Sequence, residues 1–124
     1  MWPFDSQRKA LAGLLPAEAP WLKDAEIAAW EPDANSKAQR FFASASVTRE
    51  AFLAWAVASG LSVLRGERLP SSVWTLPDDV AMAHWTDAAT IAPDMVEAKG
   101  LGPQSTLWAR WNAGRVYLVA YPAA

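Results

Sequence analysis

Side chains able to move a proton or hold a metal are sparse in this chain and loosely spaced. His84 is its one histidine, cysteine is absent, Asp87 follows His84 by three residues, and Asp78 and Asp79 precede it. Such a set could form a carboxylate-oriented general base or a mixed histidine and aspartate metal site, and hence a small hydrolase centred on His84 and Asp87. One imidazole among aspartates at these distances follows no established ligand spacing, and no Gly-x-Ser-x-Gly elbow supplies a nucleophile. His84 is expected instead to pack beside Trp85 and bond locally, with no metal and no cofactor. Glu31, Asp33, Asp78, Asp79, Asp87 and Asp94 could pair for glycoside hydrolysis, but nothing singles out two of them. Carboxylates at loop and helix starts are more commonly caps. Gly60, Gly66, Gly100, Gly102 and Gly114 are scattered as stops and turns, not gathered into a phosphate-binding loop.

Tryptophan is the unusual residue. Eight of 124 residues are Trp, at positions 2, 21, 30, 55, 74, 85, 108 and 111. Each buries about 150–250 Å², and each indole N–H needs an acceptor, so one small core would struggle to take all eight. The surplus is expected at a surface, where aromatic side chains mark protein interfaces or ligand platforms. Trp2, Trp30, Trp55 and Trp108 are the expected partly exposed members. Candidate binding residues are Trp30, Trp55, Trp74, His84, Trp85, Trp108, Arg110 and Tyr117. Arg110 lies between Trp108 and Trp111, and Arg115 near Tyr117, an interleaving found in single-strand nucleic-acid platforms. A net charge of −2, with 11 basic against 13 acidic residues, argues against that use and for arginine stacked on a ring.

Size and ends bound the rest. A chain of 124 residues makes one domain, 1–124, able to bury roughly two-thirds of its unfolded surface. No apolar run reaches the roughly 20 residues of a membrane helix. Arg8 and Lys9 before an apolar stretch, with Ala17-Glu18-Ala19 after it, resemble a weak export signal. The stretch is short, contains Gly13 and meets Pro16, which favours a helical N-terminal arm over 1–20 and a cytoplasmic location. Alanine richness, with arginine exceeding lysine, suits a GC-rich bacterial genome.

The elements that would position these residues follow from periodicity. Leu11, Leu14 and Leu15 share one face of a helix over 6–15, and a strand is expected at 25–30. A polar stretch over 31–38 leads to Phe41, Ala43, Ala45 and Val47 alternating with Phe42, Ser44 and Ser46, a strand over 39–47. From Thr48 the period becomes helical: Thr48 caps, Glu50 sits in the first turn, and Gly60 stops a helix over 48–59, with Trp55 at the edge of its apolar face. Residues 62–79 read as a long surface loop anchored by Leu69 and Trp74. Alternation of Val80, Met82 and His84 predicts a strand over 80–86. Pro93 in a first turn predicts a short helix over 92–99 with Asp94 and Glu97 outward. Asn112-Ala113-Gly114 joins strands at 105–111 and 115–121 into a hairpin. With a three-residue loop, Leu107, Ala109 and Trp111 share a face with Tyr117, Val119 and Tyr121. With a two-residue turn they share it with Val116, Leu118 and Ala120, which leaves Trp108 with Tyr117 and Tyr121.

The predicted fold is α+β, one two-layer domain with a mainly antiparallel sheet of four to five strands and one main helix packed on it. The predicted function is non-catalytic binding, through an aromatic-rich sheet face or the 62–79 loop, to a protein partner or a second copy. A small-ligand or carbohydrate-binding domain with a Trp-lined pocket is the alternative. Neither nucleic acid nor membrane is expected as a partner.

Overall fold

The computed structural model describes residues 3–30, 39–65, 67–85, 91–101 and 105–122. Trp2, Asp87 and the 31–38 segment lie outside them. The described chain is mixed α+β, with α1 (Pro3–Leu14), a 3₁₀ turn (Pro20–Asp24), β1 (Glu26–Trp30), β2 (Arg40–Ser46), α2 (Arg49–Ala58), β3 (Ser62–Val63), a second 3₁₀ turn (Ser71–Trp74), β4 (Val96–Leu101), β5 (Ser105–Asn112) and β6 (Arg115–Pro122). All strand pairs are antiparallel, in one sheet of order β1-β2-β6-β5-β4-β3. No helix among the described residues is long and apolar enough to cross a membrane.

Strand pleating sends alternate side chains to two faces, and the two faces are covered differently. One carries Ile27, Phe41, Ala43, Leu107, Ala109, Trp111, Val116 and Leu118 against α1, α2 and the first 3₁₀ turn. Arg8 ties α1 to that turn by donating to the carbonyl oxygens of Leu22 and Ala25. The helix α2 begins where Thr48 Oγ1 accepts from Ala51 N–H at 3.1 Å. It ends in a Schellman motif: Gly60, at φ +71°, lets Leu61 N–H reach the Ala56 carbonyl and Gly60 N–H that of Val57.

The opposite face is covered by a strap of mostly irregular chain, residues 67–85. The strap lays Leu69, Trp74, Met82 and Trp85 on Phe42, Tyr117 and Val119. Leu69 and Trp74 anchor it as their apolar character predicts. The strand expected over 80–86 does not form in the described part, where Asp78-Asp79 and Ala83-His84 are turns. The alternation holds only as far as Val80 and Met82, which face the sheet with Trp85, while Ala81, Ala83 and His84 face solvent.

Three further expectations are corrected. The helix predicted over 92–99 is instead a turn at Pro93-Asp94 followed by β4, in which Val96 and Ala98 enter the helix-side core and Glu97 points inward under the strap, not outward. Ser62–Val63, expected as loop, pairs with β4 as an edge strand, which raises the count to six strands. Trp55, expected to be partly exposed, is 4 % exposed, edge-on to Trp21 at 5.3 Å, with its Nε1–H donating to the Ala17 carbonyl at 3.2 Å.

The closing hairpin takes the two-residue turn. Asn112 pairs with Arg115, Trp111 with Val116 and Ala109 with Leu118, so Trp108, Arg110, Tyr117 and Tyr121 share the strap face. Ala113 and Gly114 have φ of +51° and +86°, the type I′ conformation that suits the right-handed twist of the strands and favours Asn-Gly. An L-residue with a Cβ is disfavoured there. Ala113→Asn is expected to raise stability by about 0.5–1 kcal/mol without altering the hairpin, which a urea midpoint comparison measures.

Candidate functional site

The strap covers only part of its sheet face. At the end it leaves open, cross-strand register assembles a row from four strands. Trp30 pairs with Arg40 across β1 and β2, and the Phe41–Ala120 pair sets Arg40 opposite Tyr121 on β6. The Arg40 guanidinium lies between two rings, 5.3 Å from the centre of Trp30 and 4.8 Å from that of Tyr121. Trp108 on β5 then meets Tyr121 edge-on at 5.0 Å and 83°. Trp30, Arg40, Trp108 and Tyr121 are all half-buried, and the three rings have one flank against the apolar cluster beneath the strap. Burial pushes the Tyr121 phenol above its ordinary pKa, and the nearby Arg40 charge offsets part of that rise. The phenol therefore stays a neutral donor at physiological pH. Beside Trp108 opens a hollow of about 470 Å³ lined by Ser62, Lys99, Gly100, Thr106 and Trp108.

No family model, curated protein or solved structure matches this chain.

Other sequence-selected residues fall into separate places. Trp74, Trp85, Arg110 and Tyr117 do come together, but beneath the strap as core. Trp85 is edge-on to Phe42 at 5.6 Å and to Tyr117 at 5.5 Å, and Arg110 sits 4.8 Å over the Trp74 ring. Trp55 is on the far side of the sheet, in the helix-side core. His84 is exposed on its turn, in an open hollow that also includes Asp24, Glu26, Ser46 and Arg115. Its proposed companion Asp87 lies outside the described residues. Among the described residues no three carboxylate or imidazole groups converge to hold a metal.

Two carboxylates not chosen as site residues from the sequence, one of them the Glu97 expected to point outward, organise this face. Glu97 on β4 accepts from Leu69 N–H (3.0 Å) and Trp74 Nε1–H (3.1 Å), and pairs with Arg110 through Nε (3.2 Å) and Nη2 (3.0 Å). Near the strap's other end, Glu26 on β1 accepts from Ala83 N–H at 3.0 Å. The strap is thus pinned by acids on both flanks of the sheet, and its coverage decides which aromatics remain open. Arg40 and Lys99 also escaped selection; alternation along 39–47 was the signal that could have put Arg40 on the Phe42 face.

Proposed function

We propose that the chain is a non-catalytic binding domain that engages a protein partner, or a second copy of itself, through the end of the sheet face that the strap does not reach. The observation that carries this reading is the row Trp30, Arg40, Tyr121, Trp108. These are the three residue types that dominate binding hot spots, already held in fixed stacking geometry and only half covered. Rings ordered in the free protein lose little conformational freedom on docking. The row ends beside Lys99, so the patch is cationic as well as aromatic.

Light scattering across a concentration series tests self-association, with Trp108→Ala as the control. The expected result is association that Trp108→Ala weakens about tenfold or more while the far-UV spectrum is retained. A wild-type monomer at every concentration removes the second-copy form of the reading. If Trp108→Ala and Tyr121→Ala then leave the set of captured partners unchanged, the partner form falls too.

The hollow beside Trp108 favours a second reading, a small ligand or carbohydrate. An indole flanked by the hydroxyls of Ser62 and Thr106 and the ammonium of Lys99 offers one stacking surface with hydrogen-bonding groups around it. A saccharide panel that leaves tryptophan fluorescence unmoved argues against it.

A further inference from the structure

On the other flank of the sheet, the chain segments leaving β3 and entering β4 diverge after the pairing of Val63 with Ala98 and the bond from Leu64 N–H to the Glu97 carbonyl. Two open hollows, of about 430 and 320 Å³, occupy the fork and meet at Leu64 and Met95. Arg49 and Arg65 line the first, and Arg68 lines the second. Apolar side chains share the lining of both, among them Leu53, Val63, Met95 and Ile91, the last 45 % exposed.

None of the three guanidiniums has a carboxylate partner among the described residues, where the one ion pair is Arg110 with Glu97. Arg49 Nε donates only to a main-chain oxygen, that of Asp94, at 3.3 Å. Glu67 also lines the fork, and Glu97 at its base is already neutralised by Arg110. Arg49 is moreover the first residue of α2, where the helix dipole disfavours a cation, so its charge is not there to stabilise the helix. Three arginines against the one lining acid that is not already paired, Glu67, leave the fork with an excess of positive charge in a chain of net charge −2.

We propose that this fork is a second binding site, separate from the aromatic row, and that it takes an acidic peptide segment whose carboxylates alternate with apolar side chains. Guanidinium groups bind carboxylates through two parallel hydrogen bonds, and the apolar side chains of the lining accept the intervening apolar groups. Two hollows joined at a ridge suit a linear segment that sets one side chain in each.

The test uses a short fluorescein-labelled peptide of alternating Glu and Leu, its Lys-Leu counterpart, and an oligothymidine competitor. Saturable binding of the acidic peptide is expected, weakening with added salt and falling about tenfold or more in the Arg65→Glu/Arg68→Glu variant. Both residues are exposed, so the variant should keep the wild-type unfolding midpoint; Arg49→Gln provides a second, milder test. Amide shifts should centre on Leu64, Met95 and Val96. The proposal is overturned by absent binding, by equal binding of the Lys-Leu peptide, or by undiminished binding to the variant. Shifts centred on Trp30 and Tyr121 would move the peptide to the aromatic row, and full displacement by oligothymidine would make the fork a nucleic-acid site; each overturns it as well.

Discussion

Glu97→Ala is expected to cost about 3–5 kcal/mol of unfolding free energy, the usual penalty for removing one partner of a buried ion pair. Glu97 and Arg110 are 2 % and 3 % exposed, so the substitution takes from a buried guanidinium a carboxylate that water cannot readily replace. More than an ion pair is at stake, because the same carboxylate accepts from Leu69 N–H and from the Trp74 indole. That difference can be measured. Were the pair alone important, Glu97→Leu combined with Arg110→Met would restore stability nearly to wild type, since apolar replacement of a whole buried pair is often neutral. Here the double variant should still fall short by about 1–3 kcal/mol for each strap donor left without an acceptor. Urea unfolding of the two single variants and the double variant gives the coupling. In Glu97→Ala, proteolysis should cut first within residues 69–85, because the strap loses its β4 anchor while the helix-side core keeps its packing. A double variant indistinguishable from wild type would disprove the clasp.

Local signals carried much of this fold. The helix α2 was legible because its capping threonine and its terminal glycine both act within one turn of the chain, and both act as read. The β5–β6 hairpin was legible as a hairpin, and its register was one of two consistent with the alternation. What decided between them was the pair of positive φ values at Ala113 and Gly114, a backbone property that the residue types permit without requiring. β4 was misread because a glutamate after a proline-led turn resembles an exposed helix residue. Its burial depends on a partner 13 positions away on β5 and on donors from a strap nearly 30 positions before it. Such pairings are long-range and leave no period.

The candidate site was legible by halves for the same reason. Trp108 and Tyr121 share a face in one of the two hairpin registers, so their meeting is local geometry. Arg40 and Trp30 join them only because β2 lies between β1 and β6 in the sheet, an order that no segment encodes alone. Placement also separates the tryptophans by role. Trp55, Trp74 and Trp85 each donate an indole hydrogen bond inside the fold and serve as core, whereas Trp30 and Trp108 stay half open.

Trp85→Ala should destabilise the domain by about 3–5 kcal/mol, as expected for truncating a large buried aromatic side chain. The ring is 4 % exposed, lies edge-on to Phe42 and Tyr117, and packs 6.4 Å from the Trp74 ring centre, while its Nε1–H holds the Trp74 carbonyl at 2.8 Å. Its loss opens a cavity against the sheet and frees the strap's second half from its first. Trp85→Phe keeps most of the packing but leaves that carbonyl without its donor, so a smaller loss of about 1–2 kcal/mol should follow. The comparison with Trp55→Ala identifies the layer concerned. Trp55 belongs to the opposite core and should cost a similar amount, yet its loss should loosen the N-terminal arm it bonds at Ala17 and leave the strap protected from hydrogen exchange. In Trp85→Ala the amides of residues 69–85 should exchange first, and the newly bared Phe42 and Tyr117 should bind an apolar dye below the unfolding transition. Equal strap protection in the two variants would mean that the strap is held by its carboxylate anchors alone, and that Trp85 fills space without fastening it.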